Sequence, residues 1–181
     1  MLYEGGIRVP YIFRWKGKIA PGTTNITPIN GVDLYPTFLE ITGAERARDY
    51  TLDGVSCLPL LTGAKTKLDR EDIFWHFPGY LGAAQGQWRT KPGGAIHSGD
   101  WKLIEFFEDG KLELYNLKDD ISENHDLAKD NPAKVKELHD KLVAWREKIG
   151  AKMPTTNTEV NSDAKKKPRK KKGRKNAGED D

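Results

Sequence analysis

The sequence of 181 residues holds one cysteine, Cys57. An intrachain disulfide is therefore excluded, and so is a metal site built from several thiolates. No apolar run approaches the roughly 18–20 residues that a membrane-spanning helix needs. Residues 1–20 also lack the uninterrupted apolar core of a secretory leader. No two of the four histidines (His76, His97, His125, His139) stand at metal-ligand spacing, and no local pair of carboxylates marks a glycosidase-type acid and base. Glu4-Gly5-Gly6 lacks the later Gly and the Lys-Ser/Thr of a phosphate cradle. It reads as a turn with unusual backbone angles, with Glu4 accepting hydrogen bonds.

What is present is polar and unevenly charged. Charged residues make up 31% and hydrophobic residues 36% of the chain. Residues 165–175, KKKPRKKKGRK, hold nine of the 30 Lys and Arg. Residues 1–164 carry 21 basic and 24 acidic groups, a formal net of −3. The part expected to fold is therefore no basic nucleic-acid binder. From about residue 153 the composition turns to Thr, Asn, Lys and Pro, which cannot bury enough apolar surface to offset ordering entropy, and disorder is expected. The basic run admits two readings: a solvated end, or electrostatic capture of a polyanion. It contains no aromatic residue, so the stacking part of a single-strand binder is missing.

Along the chain, residues 7–15 (IRVPYIFRW) read as a strand, with Pro10 suited to its edge or start. Residues 33–42 read as a short helix, capped by Asp33 and followed by Gly43, with Leu34, Phe38 and Ile41 on one face. Residues 53–63 read as a loop with an apolar plug of Leu58, Leu60 and Leu61. Residues 73–77 (IFWHF) read as a short strand or buried turn, and 79–94 as a long surface loop. Strand candidates follow at 95–98, 101–107 and 111–116, the last two joined at Asp109-Gly110. Trp101, Leu103 and Phe107 fall on one face, and Lys102, Ile104 and Phe106 on the other. Residues 132–149 form the clearest helix, with Asn131 as cap, Pro132 at its first position and Gly150 closing it. Val135, Leu138, Leu142, Trp145 and Ile149 make one apolar stripe, and Glu137 and Lys141 an i,i+4 pair. One helix over a small antiparallel sheet is an α+β arrangement.

Chemistry is sparse. His139 and His125 read as surface groups, His97 as a strand residue, and His76 as a group inside the aromatic cluster Phe74-Trp75-Phe77. Cys57-Leu58-Pro59-Leu60-Leu61 superficially matches Cys-x-Pro-x-Arg, in which the Cys is oxidised to an aldehyde nucleophile. Leu61 stands where the Arg is required, so Cys57 reads as a small buried hydrophobe.

Several stretches taken together resemble the C-terminal third of the arylsulfatase family. They are Tyr3-Glu4-Gly5-Gly6-Ile7-Arg8-Val9-Pro10, Trp15-Lys16-Gly17-Lys18-Ile19, Asp33-Leu34-Tyr35-Pro36-Thr37-Phe38-Leu39, Leu52-Asp53-Gly54-Val55-Ser56 and Pro59-Leu60-Leu61. Phe74-Trp75-His76-Phe77-Pro78, Gly94-Ala95-Ile96, Gly99-Asp100-Trp101-Lys102-Leu103-Ile104, Glu113-Leu114-Tyr115-Asn116-Leu117 and the stretch from Asp120 to Ala128 continue the match. The resemblance runs from residue 3 to about 154.

The resemblance implies an alkaline-phosphatase-like α/β fold with a smaller C-terminal subdomain, a four-stranded antiparallel sheet with a packed helix. It implies three parts: residues 1–63 as a remnant of the central α/β sheet, 64–153 as the C-terminal subdomain with helix 132–149, and 154–181 as a disordered Lys-rich tail. It implies hydrolysis of aryl or carbohydrate sulfate esters by a formylglycine nucleophile and a calcium ion. The matching nucleophile segment, the Asp-Asn calcium ligands and a sulfate-contacting Lys are not among these residues. The expectation is therefore a fragment inactive alone, from a truncated gene, a misplaced start or a split reading frame, with residues 7–15 left as an unpaired, aggregation-prone strand. No catalytic and no metal-binding residue is assigned. His76 and the loop 79–94 would shape substrate access, and Arg89 and Lys91 would attract a sulfated substrate. Gly79 replaces a second His usual in relatives. The expected partner is a sulfated small molecule or glycan, with neither a membrane span nor nucleic acid expected. The expected compartment is periplasmic or extracellular. The alternative is a non-catalytic module that captures polyanions through the basic tail.

Overall fold

A computed structural model describes residues 2–84 and 87–155 of the chain. Its centre is a four-stranded antiparallel sheet in the order β1-β4-β5-β6. The strands are β1 (Asp72–Phe77), β4 (Gly93–Ser98), β5 (Trp101–Phe106) and β6 (Leu112–Asn116). Two tight connections set the register. Gly99 at φ 59° turns β4 into β5, and Gly110 at φ 69° turns β5 into β6, left-handed positions that favour glycine. The expected strands are thus found, ending at Phe106 and beginning at Leu112 rather than at 107 and 111.

The loop expected over 79–94 needs correction. It carries a second antiparallel hairpin, β2 (Leu81–Ala84) with β3 (Gln87–Thr90). Its glycines hid the strand pattern: Gly82 takes φ 65° and packs under the Arg89 side chain.

Side-chain alternation gives the sheet two buried faces. Ile96, Leu103 and Leu114 point to helix α4 (Pro132–Lys148), against Leu138 and Leu142, with Phe74, Trp101, Val135 and Trp145 around them. Phe74 stacks on Trp145 with ring centroids 4.8 Å apart. The apolar stripe read from the sequence is this contact, except that Ile149 is exposed. Other details of α4 differ from expectation. Asn131 makes no side-chain cap and donates to Leu127 O instead. Lys141 leaves Glu137 and reaches across to Asp72 of β1 at 3.3 Å, while Glu137 pairs with Lys134. His139 is half-buried rather than on the surface, because Glu105 of β5 lies 3.3 Å from its Nε2.

The opposite face carries Ala95, Ile104 and Tyr115, and it is covered by Leu2 and Tyr3. The chain's first residues therefore belong to the core of the sheet. Lys102 of β5 also points to this face and is fully buried. Its Nζ lies 2.9 Å from Glu4 Oε1 and 2.8 Å from Glu123 Oε1. Glu123 accepts the Glu4 backbone N–H as well, at 2.5 Å, and holds a left-handed φ of 56°. Tyr3 and Tyr115 both donate to Glu113 Oε2, at 2.6 and 2.9 Å.

The N-terminal stretch departs from the sequence reading. Glu4–Ile7 form one helical turn, α1, and neither Gly5 nor Gly6 has a positive φ. Residues 8–15 are not a strand, since none of the described strands lies beside them to complete a ladder. Val9 is 62% and Ile12 92% exposed. The next unit is a 3-10 turn (Gly31–Asp33) running into α2 (Leu34–Thr42), closed by Gly43 at φ 66°. Asp33 does not cap α2 with its side chain. That carboxylate is fully buried and takes both Arg70 nitrogens at 2.6 and 2.8 Å, plus the N–H groups of Asn30 and Val55. The buried face of α2 is Pro36 and Thr37, whereas Phe38 is 54% exposed. The Leu58–Leu61 plug is a short helical turn, α3, and all three leucines are only partly buried. The basic run and the rest of 156–181, with the disorder expected there, lie outside the described residues.

Lys102→Met leaves two facing carboxylates buried without a cation, so the chain should lose about 3–5 kcal/mol of stability. Adding Glu4→Gln and Glu123→Gln should restore much of it. The urea midpoint of unfolding reads both effects. Burial, then the Glu113 carboxylate, pushes the Tyr3 and Tyr115 hydroxyls well above their ordinary value of 10.0. A raised folded-state pKa contributes stability that is fully present below pH 10 and declines as pH climbs above it. Tyr3→Phe should therefore flatten the alkaline fall in stability, as measured by urea titrations from pH 8 to 11.

Candidate functional site

His76, Arg89 and Lys91 gather at one end of the main sheet. His76 pairs in register with Gly94, and Phe77 with Gly93, so the β2–β3 hairpin leaves and re-enters the sheet at this end. Arg89 lies on β3, and Lys91 in the link to β4.

His76 is held firmly. Its ring lies 5.4 Å from Phe107, and its Nε2 is 2.9 Å from the carbonyl oxygen of Lys152. A carbonyl only accepts, so Nε2 carries the hydrogen and donates. In the neutral ring Nδ1 is then a bare lone pair, and this buried atom has no partner among the described residues. An unpaired buried acceptor costs about 1–3 kcal/mol. It and His139 Nε2 are the two imidazole nitrogens buried without a hydrogen-bond partner among the described residues.

The cations beside it differ. Lys91 Nζ lies 2.7 Å from Glu108 Oε2, and Tyr80 donates to Glu108 Oε1 at 2.7 Å. This hydrogen-bonded pairing raises the Lys91 pKa and holds the Glu108 carboxyl below its usual range. Lys91 therefore brings a balanced charge. Arg89 makes no ion pair among the described residues. Tyr80 and Trp88 lie with ring centroids 5.3 Å apart and add an exposed aromatic edge. Sequence reasoning missed Tyr80 and Trp88 because the hairpin beside them was not legible, and Glu108 because it reaches Tyr80 from the β5–β6 turn.

A second concavity lies on the other face of the sheet. The segment 7–30 arches over Ile73, Trp75, His97, Cys57 and Leu60 and encloses a groove of about 1270 Å³. His97 stands opposite Lys102 in register. Burial first lowers its pKa, the Lys102 charge adds to that, and Glu4 opposes it. The groove lining mixes apolar residues with charged ones, among them Arg8, Arg14 and Lys16.

Formylglycine and calcium would each need a defined set of partners. Cys57 is fully buried, and its Sγ lies 3.2 Å from Thr37 Oγ1. A buried group in that contact faces no substrate, and Leu61 gives it no guanidinium. A calcium ion takes roughly 6–8 oxygens. Glu4 and Glu123 already share the Lys102 ammonium, and Asp33 is bound by Arg70. Among the described residues no three His, Cys, Asp or Glu side chains converge as metal ligands. These residues do not fit either group.

The family described as N-sulphoglucosamine sulphohydrolase, C-terminal, matches residues 1–148. A sulfatase of Formosa agariphila is 36% identical over 157 residues, which is 79% of this chain and 28% of that protein. Arylsulfatase D of Homo sapiens is 34% identical over 113 residues, covering 62% of this chain and 19% of its own length. Among solved structures, BT4656 in complex with its substrate D-glucosamine-2-N,6-O-disulfate is 28% identical, with a TM-score of 0.54 over 67% of this chain and 24% of that one. Ps i-CgsB in complex with k-i-k-neocarrahexaose is 26% identical, with a TM-score of 0.56 over 72% of this chain and 27% of that one. The chain thus spans less than a third of the length of each of these relatives. With the small antiparallel sheet and its packed helix, these matches establish that the chain belongs to the sulfatase family, as its C-terminal portion.

Proposed function

We propose that the chain is the supporting C-terminal part of a sulfuric ester hydrolase whose reactive centre lies in residues outside this sequence. The observation that carries this reading is the occupied state of its buried carboxylates and thiol. Glu4 and Glu123 hold Lys102, Asp33 holds Arg70, and Cys57 contacts Thr37. Sulfate ester cleavage needs a nucleophile and cations or dipoles aimed at the developing charge on oxygen. In relatives, formylglycine and calcium would supply these from the larger α/β portion.

On this reading residues 1–63 belong with that larger portion, 64–153 form the supporting subdomain, and 154–181 are an appended basic segment. The substrate is a sulfated small molecule or glycan, and the compartment is periplasmic or extracellular. His76, Arg89 and Lys91 form part of the substrate rim. The His76 ring, held between Phe107 and the Lys152 carbonyl, shapes access to the rim, and the Arg89 guanidinium meets a sulfo group. Lys91 orients the hairpin through Glu108 more than it attracts anions, since its charge is already balanced. The groove beneath segment 7–30 receives apolar surface of the larger portion, which would cover the exposed Val9 and Ile12.

The purified chain, incubated with an aryl sulfate and calcium, should release no sulfate above the buffer blank. Robust turnover would sink this reading. Supplying the larger portion as a second polypeptide should restore release. In that assembly His76→Ala should lower kcat/KM about tenfold by removing the ring that shapes the rim; an unchanged value removes His76 from the rim.

A further inference from the structure

We propose that Tyr80, Trp88 and the Glu108–Lys91 pair form a stacking subsite for a pyranose ring, so that the ligand at this end of the sheet is an oligosaccharide. The register of the β2–β3 hairpin sets its two faces apart. Ala83 stands opposite Trp88 and Leu81 opposite Thr90, so Trp88 shares a face with Leu81. Arg89, the next residue, packs over Gly82 on the other face.

The Trp88 face is open and already shaped. Tyr80 is 46% and Trp88 52% exposed. Their rings, with centroids 5.3 Å apart and planes inclined at 43°, make a shallow apolar trough. Tyr80 is not free to swing away, because its hydroxyl donates to Glu108 Oε1 at 2.7 Å. Lys91 Nζ lies 2.7 Å from the second oxygen of the same carboxylate. Tyr80 precedes β2 and Lys91 follows β3, so Glu108, from the turn between β5 and β6, clamps both roots of the hairpin. The trough is therefore fixed before a ligand arrives, which lowers the ordering cost of binding.

The chemistry of the trough selects its occupant. A pyranose has a face of C–H groups and an edge of hydroxyls. The two rings match the face. The edge meets Lys91, whose ammonium has three donors with one taken by Glu108, and the Tyr80 oxygen, which still accepts. A nucleobase also stacks on such rings, but its phosphate needs a cation. Here Lys91 is matched by Glu108, and Arg89 is on the far face. An apolar peptide side chain would cover the trough and leave its polar edge without partners. A ring on Trp88 leaves Arg89 to a group farther along the glycan, so more than one sugar is needed to use both faces. That the stacked sugar belongs to a substrate rests on the proposed function; the stacking itself does not.

The test titrates the isotope-labelled full chain with an unsulfated galactan hexasaccharide and follows the indole N–H signals by NMR. Galactose suits it because the axial hydroxyl leaves one ring face clear. Trp88 is assigned by the signal lost in Trp88→Phe. Its signal should shift saturably at millimolar sugar while those of the other four tryptophans hold. Affinity is read in parallel from saturation transfer to the sugar C–H protons. Trp88→Ala should weaken binding about fivefold, and Tyr80→Phe, which keeps the ring but loses Glu108, about twofold. Unmoved signals of the other tryptophans in each variant show that the fold is kept. An unmoved Trp88 signal at tens of millimolar sugar overturns the subsite, and so does undiminished binding by Trp88→Ala. Undiminished binding by Tyr80→Phe overturns the part given to the Glu108 clamp. A thymidylate hexamer that shifts Trp88 at lower concentration than the sugar overturns the choice of a pyranose. The probe has no sulfo group and needs no catalysis, so this result and the sulfate-release assay fail independently.

Discussion

The buried ammonium of Lys102 is the point on which the rest of the structure depends. It sits near the start of β5, on the face away from α4, and two carboxylates close on it from separate parts of the chain. Glu4 arrives from the first helical turn and Glu123 from the connection between β6 and α4. Taking three charges out of water is costly, and an apolar trio of similar volume can be as stable or more so. The triad's particular effect is placement. Only when Glu4 and Glu123 are within 3 Å is the lysine satisfied, so the entry of segment 2–7 has one position. Glu123 accepts a left-handed backbone to reach it, a strain of about 1–3 kcal/mol.

That placement organises both sides of the molecule. Leu2 and Tyr3 cover the sheet face around Ile104 and Tyr115, and segment 8–30 is thrown out over the groove beside Trp75 and His97. The α4 face is independent of it and closes by ordinary apolar packing. Along its border the polar pairs Arg146–Glu105 and Lys141–Asp72 tie helix to sheet. Continuing past α4, the backbone returns to His76. One end of the sheet thus carries the rim residues, and the face remote from α4 carries the groove. On the proposed function, the substrate-facing edge and the surface for a larger neighbour are thereby kept apart.

Much of this was legible in the sequence, for physical reasons specific to each element. The meander from β4 to β6 announced itself through Asp109-Gly110 and through alternation at Trp101-Lys102-Leu103-Ile104. Helix α4 was marked by its 3–4 periodicity, Pro132 and Gly150. The hairpin at 81–90 was hidden because Gly82 and two alanines carry little apolar signal. Residues 7–15 had the composition of a strand, yet composition cannot supply a neighbour. Glu137 and Lys141 had helical spacing, but Asp72 offered Lys141 a tertiary partner. The Lys102 triad could not be read at all, since Glu123 and Glu4 stand 21 and 98 positions from Lys102 and 119 from each other. A lysine set among Trp101, Leu103 and Ile104 was the available hint. The family resemblance located His76, Arg89 and Lys91, but the Glu108 partner that balances Lys91 required the fold.

The central claim is that the buried carboxylates of Glu4, Asp33 and Glu123 are committed to Lys102 and Arg70 and that the described residues leave no site for a catalytic metal. Calorimetric titration of the purified chain with calcium tests it most directly. The account predicts no saturable heat in the micromolar range. A single stoichiometric site of micromolar affinity, abolished by Glu4→Gln or Glu123→Gln, would contradict it.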